Sequence, residues 1–163
     1  MTTATSDTIG SVEAEAAVLG AVLRLPAAAA RPTVDLLEIE DFTDPRHRAV
    51  LVAAQSLLAS DVPADHVALV GELRRTGVEK CFTADRSAGV YLLDLDRAAP
   101  APTCAGHYAR VVLEHRARRR IAEAGQRLQQ AAGTSALADL HALLWTELRD
   151  AERHLGRAGV TAQ

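Results

Sequence analysis

E-D-F-T-D-P-R-H-R-A-V-L-V-A-A-Q-S-L-L, residues Glu40 to Leu58, decides how the rest of the chain is read. Asp44 offers a side-chain oxygen to the free amides of a helix start, and Pro45 has a preset φ and no amide to leave unsatisfied, so the pair is N-cap and first helical residue. Val50, Leu51, Ala54, Leu57 and Leu58 then recur on one face of a 3.6-residue period, with Arg46, Arg48 and Gln55 mostly elsewhere. Phe42, one of two phenylalanines in the chain, stands just before the cap, where an apolar residue folds back over the first turns. His47 falls on the apolar side and is expected to be a hydrogen-bonded structural histidine.

Working outward, the 163 residues suit one domain with an appendage and can bury a real core. Hydrophobic residues make up 48% but aromatics only 3%, which predicts close-packed aliphatic helices. No sustained alternation of β-branched and aromatic residues marks a strand, so the expected fold is all-α. The polar start, residues 1–10, lacks an export signal and is expected to be a disordered tail. With no apolar run near the ~20 residues that cross a bilayer, and two cysteines, Cys81 and Cys104, giving no disulfide framework, a soluble cytoplasmic chain is expected. A net charge of −3 gives no global attraction to nucleic acid.

Ser11 is a candidate N-cap, followed by acidic Glu13 and Glu15 and a stripe of Val12, Ala16, Leu19, Val22 and Leu23 ending before Pro26. Gly20 inside that helix implies a close backbone approach, because glycine otherwise costs about 1 kcal/mol there. A short helix is expected over Arg31 to Ile39, with a solvated acidic cluster of Asp35, Glu38, Glu40 and Asp41 near its end. Asp65 caps a helix carrying Val67, Val70 and Leu73, and Gly77 ends it. Val78 to Ser87 is a polar loop, and Gly89, Tyr91, Leu92 and Leu95 begin another apolar face. Pro100 and Pro102 mark a boundary. Thr103 is a candidate cap there, and from Cys104 to about Ala132 the pattern is a helix of roughly 28 residues and 42 Å, too long to pack along its whole length on so small a globule. Gly133-Thr134-Ser135 turns the chain, with Ser135 as cap, into a return helix, making a projecting antiparallel hairpin. The expected organisation is a tail to residue 10, a helical globular subdomain over 11–102, the hairpin over 103–156 and a tail over 157–163.

The return helix carries Leu137, Leu140, Leu144, Leu148 and Leu155 on one face, enough to zip it to the first arm, while Leu143 and Trp145 are left over. With Leu148 beside them, these residues are expected to mediate self-association. Arg116, Arg118, Arg119 and Arg120 form the one basic run, in which Arg116, Arg119 and Arg120 share a face that could touch phosphates. Intrahelical pairs, Glu114 with Arg118 and Glu123 with Arg119, and the lack of interleaved aromatics weaken that reading. The histidine and cysteine spacings match no established zinc pattern, so no metal and no cofactor are expected. The only lysine, Lys80, has no glycine loop around it, so these residues hold no P-loop and no catalytic site is expected.

Several of these segments resemble the N-terminal domain of DnaB-type replicative DNA helicases. The D-F-x-x-x-x-H-R pattern at Phe42 and His47 is similar to its most recognisable segment, with Val50-Leu51 where the family has Ile-Phe. Ala14, Glu15, Val18, Leu19 and Gly20 match its A-E-x-x-V-L-G opening. The stretch from Asp65 to Gly77 looks like its D-x-x-T-V-x-x-x-L-x-x-x-G. Gly89, Tyr91 and Leu95 look like its G-G-x-x-Y-L-x-x-L with one glycine missing, and Tyr108, Val112, Glu114 and Arg119 match Y-x-x-x-V-x-E-x-x-x-x-R. The resemblance covers Val12 to about Leu155 and stops short of an ATPase domain. It implies a collar whose hairpins pair between subunits and which engages primase and loading factors. The expected function is thus a stand-alone, non-catalytic interaction module in DNA replication, a primosome component that associates with itself and with a replicative helicase or primase. The alternatives are the front part of a split or truncated ATP-dependent helicase, and a nucleic-acid-binding module using the Arg116 to Arg120 patch.

Overall fold

In the computed structural model the backbone of residues 3–83 and 87–160 is described, with side chains for all of these but 3–9 and 79. Every regular element among them is helical. The α-helices in chain order are α1 (Thr3–Val22), α2 (Ala27–Asp35), α3 (Pro45–Ala59), α4 (His66–Arg75), α5 (Ala88–Ala98), α6 (Ala105–Ala132) and α7 (Leu137–Arg157), joined by short 3-10 turns. The chain divides into two compact units, Met1–Val112 and Leu113–Gln163.

In the first unit α3 starts as the sequence dictates: Asp44 accepts a hydrogen bond from the Arg46 amide at 2.8 Å, and Pro45 follows it. Its inward face buries Val50, Leu51, Ala54 and Leu58, and Phe42 is completely buried before the cap. The α3 helix packs on α1, α2 and α4, and α1 packs on α5. The core is aliphatic, with Val18, Leu19, Leu37, Leu69, Leu73 and Leu92 all within 2% of full burial. Each such side chain contributes roughly 1.5–3 kcal/mol by leaving water. Gly20 lies where α1 crosses α5. A Cβ there would fall on the Leu95 carbonyl oxygen and come within 2.8 Å of the Ala99 Cβ, so only glycine lets the two backbones meet.

Several local expectations are corrected. The segment read as a tail is helical from Thr3. Ser11 is therefore inside α1, where its hydroxyl donates to Glu15 instead of capping. The second helix is Ala27–Asp35, not Arg31 to Ile39, because Pro26 sets its start. Pro32 is tolerated within it because the Ala28 carbonyl it leaves without a donor belongs to an exposed residue. Asp41 is not on a solvated face. It is buried, and its carboxylate accepts from the Glu38 amide at 2.8 Å across the 3-10 turn Ile39–Asp41. In α4 the buried positions are Leu69, Glu72 and Leu73, and Val67 is 80% exposed. The Asp65 cap and left-handed Gly77, at φ +68°, bound that helix as the sequence implies. The polar loop contains a 3-10 turn, Val78–Cys81, and residues 84–86 of it lie outside the described residues.

In the second unit α6 and α7 meet along a seam with a heptad spacing. Leu113, Ala117, Arg120, Ala124 and Arg127 occupy it on α6, and Leu143, Glu147, Asp150 and His154 on α7. Alanines let the helices approach, and charged residues fill the remaining space. Ser135 does not cap α7: Ala136 holds the N-cap position, and the Ser135 amide is spent on the Ala131 carbonyl.

Candidate functional site

Two constellations concentrate the polar chemistry, one in each unit. In the first, Glu15 on α1 is fully buried and its carboxylate collects donors from the α3 start. It accepts from the Thr43 amide at 2.8 Å, the Thr43 hydroxyl at 2.7 Å, the Asp44 amide at 3.3 Å and His47 Nδ1 at 2.8 Å. Burial pushes its pKa up, but the hydrogen bonds from His47, Thr43 and Asp44 together outweigh that and hold it below the usual glutamate value. His47 Nε2 is buried without a hydrogen-bond partner. Phe42 stands edge-on to the imidazole at 6.4 Å between centroids, Tyr91 lies 5.9 Å away, and the Arg46 guanidinium caps the Tyr91 ring at 4.6 Å. This buried carboxylate–imidazole pair fastens α1 to α3.

In the second, Glu147 is buried on α7 and gripped by Arg127 through two bonds of 2.7 Å, with Arg120 at 3.1 Å. Arg120 also pairs with Asp150, which in turn holds Arg153. His154 is buried next along the seam. Burial lowers its pKa, the Arg116 charge lowers it further, Asp150 opposes, and Arg153 and Arg157 add to the lowering. Because the seam is mostly occupied by these groups, three leucines of α7 lie outside it. Leu137, Leu144 and Leu148 are 82%, 47% and 44% exposed, and Trp145 is 48% exposed. The Trp145 indole N–H donates to His141 Nε2 at 3.0 Å.

The residues 8–114 match the family described as the DnaB-like helicase N terminal domain. The chain belongs to that family. Among relatives, the replicative DNA helicase DnaB of Leifsonia xyli is 34% identical over 118 residues, 72% of this chain and 24% of the relative. That of Mycobacterium leprae is 36% identical over 118 residues, 72% of this chain and 18% of the relative. The chain thus spans about a quarter or less of these relatives' length. The crystal structure of the N-terminal domain of DnaB helicase from Mycobacterium tuberculosis superposes with a TM-score of 0.75 at 32% identity, over 85% of this chain and 95% of that one.

The DnaB-like motif residues converge as follows. Glu15, Leu19, Gly20, Phe42, His47, Tyr91 and Leu95 are gathered in and around the buried contacts of α1, α3 and α5. Val112 is buried on α6, Tyr108 is half-buried with its ring 5.2 Å from that of His107, and Glu114 is exposed. Of the expected association residues, Trp145 and Leu148 are exposed, whereas Leu143 is half-buried because it shares the Glu147 face. Of the leucine face expected to zip the hairpin, Leu137, Leu144 and Leu148 are exposed, and Leu140 and Leu155 are half-buried. Within the arginine run, Arg116 and Arg120 are largely buried against the hairpin and share Glu123, at 3.8 and 3.6 Å. Glu147 and His154 went unnoticed in the sequence. Their signal was a seven-residue interval on the face opposite Arg120 and Arg127. Among the described residues no three His, Cys, Asp or Glu side chains group to hold a metal ion, and no helix is long and apolar enough to cross a membrane.

Proposed function

We propose that this chain is a non-catalytic interaction module of the DNA-replication machinery, which associates with itself through the α6–α7 hairpin and docks on a replicative helicase or primase. The observation that carries this reading is the exposed row of Leu137, Leu144, Leu148 and Trp145 on α7, beside a seam already filled by ion pairs. Apolar side chains in contiguous array on one helix mark a contact surface. Family membership supports the choice of partners. Light scattering at micromolar concentration is expected to give a dimer or larger, and Trp145→Ala with Leu148→Ser to give a monomer. Pull-down with helicase and primase, using that double variant as control, tests the partners. A monomeric wild type counts against the reading.

A second reading, the front part of an ATP-dependent DNA helicase, is supported by the small share of the relatives' length that the chain spans. It requires a P-loop, which these 163 residues do not contain. A G-x-x-x-x-G-K-[ST] motif in the adjoining or neighbouring coding sequence decides it. Direct nucleic-acid binding is disfavoured by the pairing of Arg116 and Arg120 with acidic partners. Flat anisotropy with DNA at low salt is the expected result.

A further inference from the structure

The side of α7 turned away from Leu144 and Leu148 carries a second pattern. Thr146, Arg149, Asp150 and Arg153 follow one another at intervals of three, one and three residues, which places them along one side of a helix with 3.6 residues per turn. Arg120 reaches the same side from α6, and these five residues line an open cleft of about 490 Å³ within the hairpin. That is the size of a small-molecule site. Three arginines and one aspartate give the lining a formal surplus of two positive charges, in a chain whose net charge is −3.

Asp150 is consumed in building the cleft. Its Oδ2 accepts from Arg120 Nε and its Oδ1 from one Nη of Arg153, so each carboxylate oxygen already meets a guanidinium group. Arg120 is largely buried and also meets Glu147, whose charge Arg127 balances through two bonds of its own. It is a charge fixed in place by its partners. Arg153 is exposed and keeps Nε and its other Nη unbonded to any described residue. Arg149 is exposed and makes no hydrogen bond or ion pair with a described residue, so its whole donor fork is open. The Thr146 hydroxyl donates to the Ala142 carbonyl at 3.0 Å and lines the cleft without offering a donor. Three guanidinium groups on one cleft repel one another, and an anion between them relieves that repulsion.

The planar guanidinium fork matches phosphate oxygens two at a time. Arg149 and Arg153 stand about one turn apart, roughly 6 Å along the helix axis, so two linked phosphate groups can each take one fork. No aromatic side chain lines the cleft, which leaves no platform for a base and confines recognition to the phosphates. We propose that this cleft binds a compact anion of two or more linked phosphate groups, either free pyrophosphate or the polyphosphate end of a nucleotide. Arg149 and Arg153 hold the anion, and Arg120 supplies the fixed charge beside them. The site goes beyond the interaction role and is complete within one hairpin.

Isothermal titration calorimetry of the full chain with pyrophosphate, in low salt, tests the site. Saturable binding of one anion per chain is expected, with a dissociation constant below about 1 mM. Arg149→Ala is expected to weaken it about tenfold or more, and Arg149→Lys, which keeps the charge and loses the fork, by about threefold. Neither change should move the thermal melt, because Arg149 is bonded to no described residue, so a lost affinity is not a lost fold. Arg110→Ala, at an exposed arginine outside the cleft, should leave binding unchanged. Trp145→Ala with Leu148→Ser should leave it unchanged too, so the site and self-association fail or stand separately. Adenosine and guanosine triphosphates are expected to bind within about threefold of each other. Triphosphates tighter than pyrophosphate assign the cleft to nucleotide ends, and weaker ones to the free anion. The proposal is overturned by the absence of saturable binding up to about 10 mM, by equal losses in Arg110→Ala and Arg149→Ala, or by a preference of more than about tenfold for one base. Displacement of pyrophosphate by a single-stranded oligonucleotide overturns it as well and makes the arginines a nucleic-acid contact.

Discussion

At the scale of single residues, Glu15 shows how burial and hydrogen bonding compete. Its carboxylate is removed from water, which alone favours the protonated acid, yet three backbone or side-chain donors from Thr43 and Asp44 and one from His47 converge on it. The charged form wins and the pKa falls. Folded Glu15 therefore binds its proton less readily than in the unfolded chain, so its contribution is fully present above the ordinary value of 4.5 and is lost as pH falls through the folded value. Glu15→Gln keeps the shape but turns an amide toward donors that need an acceptor. It is expected to cost about 3 kcal/mol at neutral pH, the scale of breaking a buried pair by changing one partner. Urea titration measures it. The variant's stability should also fall less steeply than wild type below about pH 4.5, where the missing carboxylate would have begun to protonate. A loss under about 1 kcal/mol with an unchanged acid limb would mean that the pair holds nothing together.

At the scale of elements, the hairpin seam departs from the leucine zip that its sequence suggests. Glu147 is the pivot, buried between Arg127 and Arg120. Arg127 is partly solvated and Arg120 keeps Asp150 if Glu147 is removed, so the two arginines are not stranded together. Glu147→Ala loses both the pairing and the volume, and is expected to lower the hairpin's melting temperature by about 5 °C or more. Glu147→Leu fills the space and should cost distinctly less, because an apolar side chain of similar size often replaces a buried ion without loss. Equal effects of the two substitutions would show that packing does not matter at this position. The same element shows where the sequence could and could not be read. Helix starts were legible at Asp44 and Asp65, where a short acceptor precedes the helix, and Gly20 announced the crossing of α1 and α5 by being costly anywhere else. The facing of α7 was not legible. Its leucines formed the more conspicuous periodic row, while the row that does face α6 is polar and only explicable once its partners on the other helix are known. Glu15 was hidden for a similar reason: an acidic residue early in a helix has an adequate local explanation in the dipole, and its true partners lie 28 to 32 residues away.

At the scale of the whole molecule, the two units rest on different physics. The first is closed over an aliphatic core, whereas the second holds together through alanine contacts and ion pairs and leaves its most conspicuous apolar row outside. A folded unit stabilised by a second copy gains stability with protein concentration, since mass action favours whatever binds only the native form. Trp145 is the only tryptophan in the chain and sits on that row, so its fluorescence reports the second unit without further labelling. Tyr91, buried beside His47, belongs to the first. Denaturation followed at tryptophan emission is therefore expected to shift to higher midpoint as protein concentration rises, by about 1.4 kcal/mol of apparent stability per tenfold increase for a two-state dimer. Hydrogen exchange at the α1 and α3 amides should show no such dependence. If the Trp145 transition does not move with concentration, the outward leucines have no second copy to meet; if both transitions move together, association involves the first unit as well as the hairpin.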